Sequence, residues 1–322
     1  MDITSPPKSI DKISTGRLSE ETSMTTQTVG YKAKAFEPRN LVLFFLIAFG
    51  WSWLFWWLLY FSGIVRMPVG IDIRNIDLGS SWWLIPLSLL SPDGPTIAAF
   101  VITGITEGQS GIKALWKRFW NRSLSLKWLF IILLFFPTLR LVANLVSRIL
   151  DGQAYPILTS PNQPWMFIIP LIFNGLIHGG MSEEFGWRGY VLPRFQAKWN
   201  ALISSLILGV IWGVWHLPLL LAGVGSANSV VELLSWQALV AIFFTWVFNN
   251  TNGSILAVVI FHAMVNTSGD IVWCCGPSPW HFYGVYLLAG ILIVLIFGPK
   301  NLVRGPSEKE IRFSSLTREL MK

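Results

Sequence analysis

Charged residues and cysteines are scarce in this chain. Asp, Glu, Lys and Arg make up 13% of its 322 residues and 53% are hydrophobic, whereas soluble domains carry roughly 25% charged residues. The two cysteines, Cys274 and Cys275, are adjacent, so they can form neither a disulfide framework nor a paired-cysteine zinc site. The composition therefore excludes an ordinary soluble domain and predicts a chain whose solvent is mostly lipid.

Apolar stretches long enough to cross a hydrocarbon core of about 30 Å recur almost end to end. They are too long and continuous for the strands of a membrane barrel, which would alternate over about 10 residues. The sequence therefore predicts an all-α polytopic membrane protein with about eight transmembrane helices. The expected spans are 41–64, 82–106, 126–150, 165–181, 201–223, 233–248, 254–273 and 280–297.

Two polar tails are expected to flank a membrane domain of residues 40–298. Residues 1–39 are rich in Ser, Thr and Lys and lack the apolar core of a signal peptide, so they are predicted to form a flexible cytoplasmic tail. Residues 299–322 are predicted to form a second cytoplasmic tail. The sequence shows no internal repeat that would divide the membrane domain further.

Lysine and arginine are distributed unevenly between the two sides of the predicted bundle. With the N-terminus inside, the outer side receives only Arg66 and Arg74, with Arg148 near it. Because basic loops are retained in the cytoplasm, this predicts a multi-pass protein of the cell membrane or an endomembrane with both termini cytoplasmic. The net charge of +7 forms no aromatic-interleaved stripe, so no nucleic-acid partner is expected. The fourth connection contributes to the inner side with Arg188, Arg194 and Lys198.

An acidic pair, Glu183 and Glu184, lies at the end of the fourth predicted span. Ionisable groups at membrane depth cost at least a few kcal/mol each, so they indicate function by default. On a helix, Glu184 and Arg188 face each other at i,i+4, while Glu183 points about 100° away. We therefore expect Arg188 to neutralise Glu184, and a desolvated Glu183 to serve as a general base. The alternative is that both acids mark a cytosolic loop.

Two further spans carry histidines with polar or aromatic neighbours one turn away. Trp212 and His216 share a face of the fifth span, so the indole can pack on the imidazole. His262 and Asn266 share a face of the seventh span and are suited to holding a carbonyl oxygen as it gains negative charge. Taken singly, these residues could equally be packing groups or interhelical hydrogen-bonding groups.

Together the three sites predict the attack of water on an amide. Glu183 would be the base and His216 would orient the water, since no serine or cysteine nucleophile lies beside the motifs. His262 and Asn266 would stabilise the oxyanion. On helical rise alone, His216 lies about 22 Å along a span that starts near Ala201, whereas Glu183 lies near a cytosolic end. A displaced helix start or a re-entrant approach would be needed to bring the two together.

A divalent metal such as zinc is the open alternative for this chemistry, although no cofactor is firmly implied. The zinc motif H-E-x-x-H is absent, and the four histidines are His178, His216, His262 and His281. His178 lies about 140° around a helix from Glu183, which makes it a poor co-ligand. Metal binding by Glu183, His216 and His262 is geometrically allowed.

The three motifs, taken in order, resemble those of a known family. The runs E-E-x-x-x-R-G at 183–189, aromatic-x-x-x-H-L-P at 212–218 and F-H-x-x-x-N at 261–266 look like those of the CAAX prenyl protease and bacteriocin-processing (CPBP) family. Its members are also called type II CAAX endopeptidases or Abi proteins. The resemblance covers a motif core at 165–270, about a third of the chain. One departure is Trp212, where the family often has Phe.

The resemblance implies an eight-helix intramembrane endopeptidase with the catalytic roles given above and with support from Glu184, Arg188 and Trp212. Family members have been described both as metalloproteases and as metal-independent glutamate proteases, so the resemblance leaves the metal open. The implied partners are membrane lipid and a membrane-tethered or lipidated peptide, such as a prenylated C-terminal CAAX-like motif.

Two other function classes could use the same features. A transporter would use the buried charges as a proton or substrate relay, but such folds carry internal repeats, which this sequence lacks. A non-catalytic immunity or scaffold membrane protein would keep the fold without the chemistry. Cleavage of lipidated C-terminal peptides would discriminate a protease from both alternatives.

Overall fold

The computed structural model describes residues 35–61, 88–120, 124–152, 168, 171–223, 227–271 and 280–304. Within these ranges the regular structure is helical, with no strand, which confirms the all-α prediction. The two adjacent cysteines and most of both predicted tails lie outside the described residues.

The helices are labelled here in chain order. They are α1 (Pro38–Phe61), α2 (Gly94–Phe119), α3 (Leu126–Asp151), α4 (171–196), α5 (Ala201–Trp215), α6 (Leu217–Leu221), α7 (Val230–Asn250), α8 (Ile255–Ile271) and α9 (Trp280–Phe297). A 3₁₀ turn, Ser91–Asp93, leads directly into α2. Six predicted spans match these helices to within a few residues, with both α5 and α6 inside the fifth, whereas the predicted spans 82–106 and 165–181 overlap α2 and α4 only in part.

Four of these helices, α1, α3, α7 and α9, are long and apolar enough to cross a membrane. Two shorter apolar helices, α5 and the part Ile255–Gly269 of α8, accompany them. Many large apolar side chains on their outer faces are exposed, such as Leu46, Phe130 and Leu295. The backbone N–H and C=O groups of a helix bond to each other, so they need no hydrogen-bond partner from the lipid, which offers none. The chain is therefore a multi-pass helical membrane protein.

Helix α4 differs most from its predicted span, which was expected to end at Met181. It continues for another four turns and alternates between π-helical and α-helical geometry, a pattern that is frequent at functional sites. Arg188 and Arg194 are buried within it, 0% and 4% exposed, so their assignment to a cytosolic connection was wrong. The pieces are Leu171–Met181 (π), Ser182–Glu184 (α), Phe185–Val191 (π) and Leu192–Gln196 (α).

The greater length of α4 changes the position expected for Glu183 along its helix. Glu183 lies in the middle of α4 rather than at a cytosolic end, and it is only 4% exposed. Its neighbours on α5 and α8 are therefore reached without a re-entrant segment. The sequence misled because charges neutralised by neighbouring side chains look the same in a hydropathy pattern as charges in water.

Close packing between α4 and α8 depends on small residues of α4. A Cβ atom built on Gly175 would lie 2.7 Å from the Cβ of Ala263, and one on Gly180 would lie 2.7 Å from the carbonyl oxygen of Val259. Small residues at such crossings let backbones approach closely in membranes. This approach brings the acidic turn of α4 against the histidine of α8.

The C-terminal segment 298–304 follows α9 and packs back onto the bundle. The carbonyl groups of Lys300 and Pro299 accept hydrogen bonds from the first two N–H groups of α5, at 2.8 and 3.1 Å. The side-chain amides of Asn249 and Asn250, at the end of α7, donate to carbonyl groups of the same segment at 2.8 and 2.7 Å. Its Leu302 is fully buried. The segment thus joins α5, α7 and α9.

Candidate active site

The two carboxylate oxygens of Glu183 have different surroundings. Oε2 accepts hydrogen bonds from two indole N–H groups, that of Trp212 at 2.6 Å and that of Trp187 at 3.1 Å. Oε1 faces α8, 3.9 Å from Nε2 of His262. Because two donors occupy Oε2 and fix the carboxylate, Oε1 is the oxygen turned towards the other polar groups of the site.

Glu184 contacts two partners, of which the sequence predicted one. The predicted ion pair with Arg188 is present, with Nη1 lying 2.8 Å from Oε1 and 3.1 Å from Oε2, and both side chains are fully buried. The same Oε1 also lies 2.7 Å from Nδ1 of His262. The Arg188 guanidinium is flanked by the rings of Trp212 and Phe244, at 4.5 and 4.0 Å from their centroids. Glu184 therefore links the buried guanidinium of Arg188 to the imidazole of His262.

His262 and Asn266 lie together where α8 crosses α4, as their spacing predicted. A Cβ atom built on Gly179 would lie 2.5 Å from Nδ2 of Asn266 and 2.8 Å from Nε2 of His262. Both nitrogens thus approach the same point on the α4 backbone. The Asn266 side chain is exposed and His262 is buried, so the pair borders the accessible edge of the site.

His216 lies between α5 and α6 and is half-buried. Its Nδ1 lies 2.9 Å from the carbonyl oxygen of Trp212 and 3.1 Å from Nε2 of Gln237. With Nδ1 engaged in this way, the chemistry of the imidazole falls to Nε2. The predicted contact with Trp212 is present, with ring centroids 5.8 Å apart, and the Trp212 ring also lies 5.7 Å from that of His262.

Trp212 stands at the centre of this arrangement. It donates to Glu183, contacts both imidazoles and lies against the guanidinium of Arg188. A phenylalanine at this position could make the ring contacts but could not donate the hydrogen bond to Glu183. The departure from the family pattern at this residue thus adds a donor to the carboxylate.

The residues suggested as metal ligands are Glu183, His216 and His262. Among the described residues, no three His, Cys, Asp or Glu side chains are grouped so that they could hold a metal ion. Nδ1 of His262 is already held by Glu184, and this partnership would orient Nε2 whether it donates a hydrogen bond or binds an ion. A three-ligand site built from Glu183, His216 and His262 is therefore not formed by the described side chains.

The described helices thus bring a buried carboxylate, that of Glu183, and the imidazoles of His216 and His262 into contact with one indole, that of Trp212. Residues 161–268 match the family described as type II CAAX prenyl endopeptidase Rce1-like. A relative, CAAX prenyl protease 2 of Methanococcus maripaludis, is 25% identical over 213 residues, which cover 62% of this chain and 78% of the relative.

Over residues 161–268 the chain is therefore similar to the type II CAAX prenyl endopeptidases, the family that the motif resemblance named. This similarity supports a CAAX-type membrane endopeptidase, a class that implies a membrane-associated peptide as substrate. No nucleic-acid partner is indicated. The match includes each of the three motifs that carry Glu183, His216 and His262.

Sequence reasoning missed several residues that complete the site. Trp187 lies one turn after Glu183, so the spacing rule that paired Glu184 with Arg188 could have found it. Gln237 lies on α7, and its contact with His216 depends on how α5 and α7 cross. No pattern within either segment indicates that contact.

Proposed function

We propose that this chain cleaves a membrane-tethered peptide, such as a prenylated C-terminal CAAX-like motif, with water activated by Glu183 and His216. The observation that carries the proposal is the fixed, buried carboxylate of Glu183, with one oxygen held by two indoles and the other facing His262. A carboxylate removed from water and placed beside donors for an oxyanion is suited to general base catalysis.

Proton transfer would begin at Oε1 of Glu183. As the water oxygen attacks the scissile carbonyl carbon, Oε1 takes one proton from the water, while Nε2 of His216 accepts a hydrogen bond from the other. When the tetrahedral intermediate collapses, the C–N bond breaks and Glu183 returns its proton to the leaving amine. The two indoles keep Oε2 out of this exchange.

The oxyanion would be held by His262 and Asn266. Nδ2 of Asn266 can donate an N–H to it directly. Nε2 of His262 can donate only when it carries a proton, and Glu184 at Nδ1 suits this state because it accepts the other N–H of an imidazolium. Donors placed where charge develops act mainly in the transition state.

We favour water activation without a metal, because no helix supplies a pair of ligands for a dedicated zinc site. The matching expectation is that chelator treatment leaves turnover unchanged. Stoichiometric zinc in active protein, lost together with activity in both the His262→Ala and His216→Ala variants, would replace this mechanism with a metal-dependent one. Elemental analysis of the three proteins decides the point.

The function is tested with the purified full-length chain and paired C-terminal peptides, prenylated and unmodified, with cleavage followed by mass spectrometry. We expect cleavage of the prenylated peptides and loss of activity in the Glu183→Gln variant. Glutamine keeps an oxygen that can accept both indole hydrogen bonds but cannot take up the proton, so the thermal stability should stay near that of the wild type. Near-normal turnover in this variant would exclude Glu183 as the base.

A further inference from the structure

His216 projects from a helix break that needs support from elsewhere in the fold. The backbone turns at this residue with φ −79° and ψ −4°. Pro218 has no N–H to give to the carbonyl group of Val214. Leu219 donates to the carbonyl group of His216 at 3.0 Å. In a regular α-helix the N–H of Leu219 would donate to the carbonyl group of Trp215. Because it donates to His216 instead, the carbonyl group of Trp215 can accept a hydrogen bond from another helix.

Helix α1 supplies that donor. The indole N–H of Trp53 donates to the carbonyl oxygen of Trp215 at 2.9 Å. One turn further along α1, the Trp56 ring packs against the Trp215 ring, with centroids 4.6 Å apart. The Trp56 ring also lies nearly parallel to the His216 imidazole, at 6.3 Å and 26°. One face of α1 thus contacts both the backbone and the ring at the break.

Trp56 is itself held in place from α2. Its indole N–H donates to Oγ of Ser91 at 3.1 Å, in the turn that leads into α2. On α2, Oγ1 of Thr96 donates to the carbonyl group of Met181 at 2.8 Å, close to Glu183 in the chain. Helices α1 and α2 therefore connect the segment that carries His216 with the segment that carries Glu183.

We propose that Trp53 and Trp56 are positioning residues for His216, which hold the helix break so that the imidazole keeps its place against Trp212, the indole that also donates to Glu183. Both lie in α1, outside the matched region 161–268. Their effect on turnover rests on the proposed function of His216. Their effect on the imidazole itself does not.

The test compares four substitutions in one helix, all Trp to Phe. Trp53→Phe removes the indole N–H that donates to the carbonyl group of Trp215, and Trp56→Phe removes the indole N–H that anchors the Trp56 ring to Ser91. Trp51→Phe is the matched control for a lost indole hydrogen bond, since Trp51 donates to the carbonyl group of Leu90 at 2.8 Å. Trp57→Phe is the control for a lost ring contact, since Trp57 packs on Tyr60 within α1.

Two readouts are measured on the full-length protein. The chain has four histidines, so nitrogen-15 labelling of histidine gives a simple imidazole NMR spectrum, in which His216 is assigned by its loss in a His216→Asn variant. Steady-state kinetics on a cleavable prenylated peptide separate kcat from KM. A structural role of α1 alone would not move the His216 signal selectively.

We expect Trp53→Phe and Trp56→Phe to shift the His216 signal and leave the other three imidazole signals in place. kcat should fall by about 10- to 100-fold with KM little changed, since misplacing one catalytic group by about an ångström has effects of this order. Both controls should match the wild type. If Trp56→Phe does not fold, Ser91→Ala removes the anchor of Trp56, together with a local hydrogen bond to the carbonyl group of Ser88 at 2.8 Å. It should give the same signature in milder form.

An unchanged His216 signal in Trp53→Phe and Trp56→Phe would overturn the proposal, and so would an equal change in Trp51→Phe. The proposed function fails separately, if the His216→Asn variant cleaves the peptide normally. In that case the His216 signal still decides whether α1 positions the imidazole.

Discussion

Glu184 is the residue for which a second contact changes the expected role. Spacing on a helix paired it with Arg188, which predicts a structural role alone. Its 2.7 Å contact with Nδ1 of His262 adds a part in the site. A carboxylate that fixes one ring nitrogen determines what the other nitrogen can do.

Glu184→Gln and Arg188→Ala should therefore differ in their effect on turnover. Each leaves a buried charge without its partner, which costs about 3–5 kcal/mol of folding free energy. Glu184 contacts His262, so Glu184→Gln should also lower kcat beyond what its loss of stability explains. The measurement is kcat for both variants at a temperature well below both melting temperatures. Equal kcat in the two variants would mean that Glu184 has only the structural role of pairing with Arg188.

At the scale of helices, the crossing of α4 and α8 places the proposed oxyanion donors. The absence of a side chain at Gly179 lets His262 and Asn266 approach the α4 backbone, and Gly180 serves packing against Val259 in the same crossing. Two adjacent glycines thus have distinct roles, one at the site and one in the helix interface.

Substitution by alanine should separate the two glycines. Both Gly179→Ala and Gly180→Ala crowd the crossing and should each cost about 1–3 kcal/mol of folding free energy. Only Gly179→Ala places its methyl group against the side chains of His262 and Asn266. We therefore expect kcat to fall in Gly179→Ala and to stay near the wild-type value in Gly180→Ala. Thermal unfolding and peptide cleavage measured side by side provide the check. A comparable fall of kcat in both variants would mean that packing, and not the position of the donors, limits turnover.

Helical spacing predicted the contacts that occur within one helix. Glu184 meets Arg188, and Trp212 meets His216, because the backbone fixes which side chains are neighbours at i,i+4. Contacts between helices, such as that of Glu184 with His262, depend on crossing geometry that no single segment encodes. The end of α4 was predicted wrongly because its charges are neutralised inside the fold.

The orientation of the whole molecule in the membrane is predicted by its basic residues. Arg188 and Arg194 no longer count as loop charges. Lys113 and Lys117, which are exposed near the end of α2, and the basic residues of both tails still favour one side. We expect both termini to face the cytoplasm.

Reporter tags test this orientation directly. Tags at residue 20 and at residue 315 should both report cytoplasmic exposure, and a tag between residues 275 and 280 should report the opposite side. The tag in the loop is the internal control, because its signal shows that the reporter can distinguish the two sides of the membrane. Opposite sides for the two tails would mean an odd number of spans and a misread helix.

The C-terminal segment 298–304 has a consequence for how the protein is made. The first two N–H groups of α5 and the side-chain amides at the end of α7 depend on carbonyl groups of Pro299, Lys300 and their neighbours. Synthesis runs from the N-terminus, so these groups are inserted long before their acceptors leave the ribosome. The bundle can therefore close only after α9 and the segment that follows it have been synthesised, and until then the start of α5 and the end of α7 lack these hydrogen-bond acceptors.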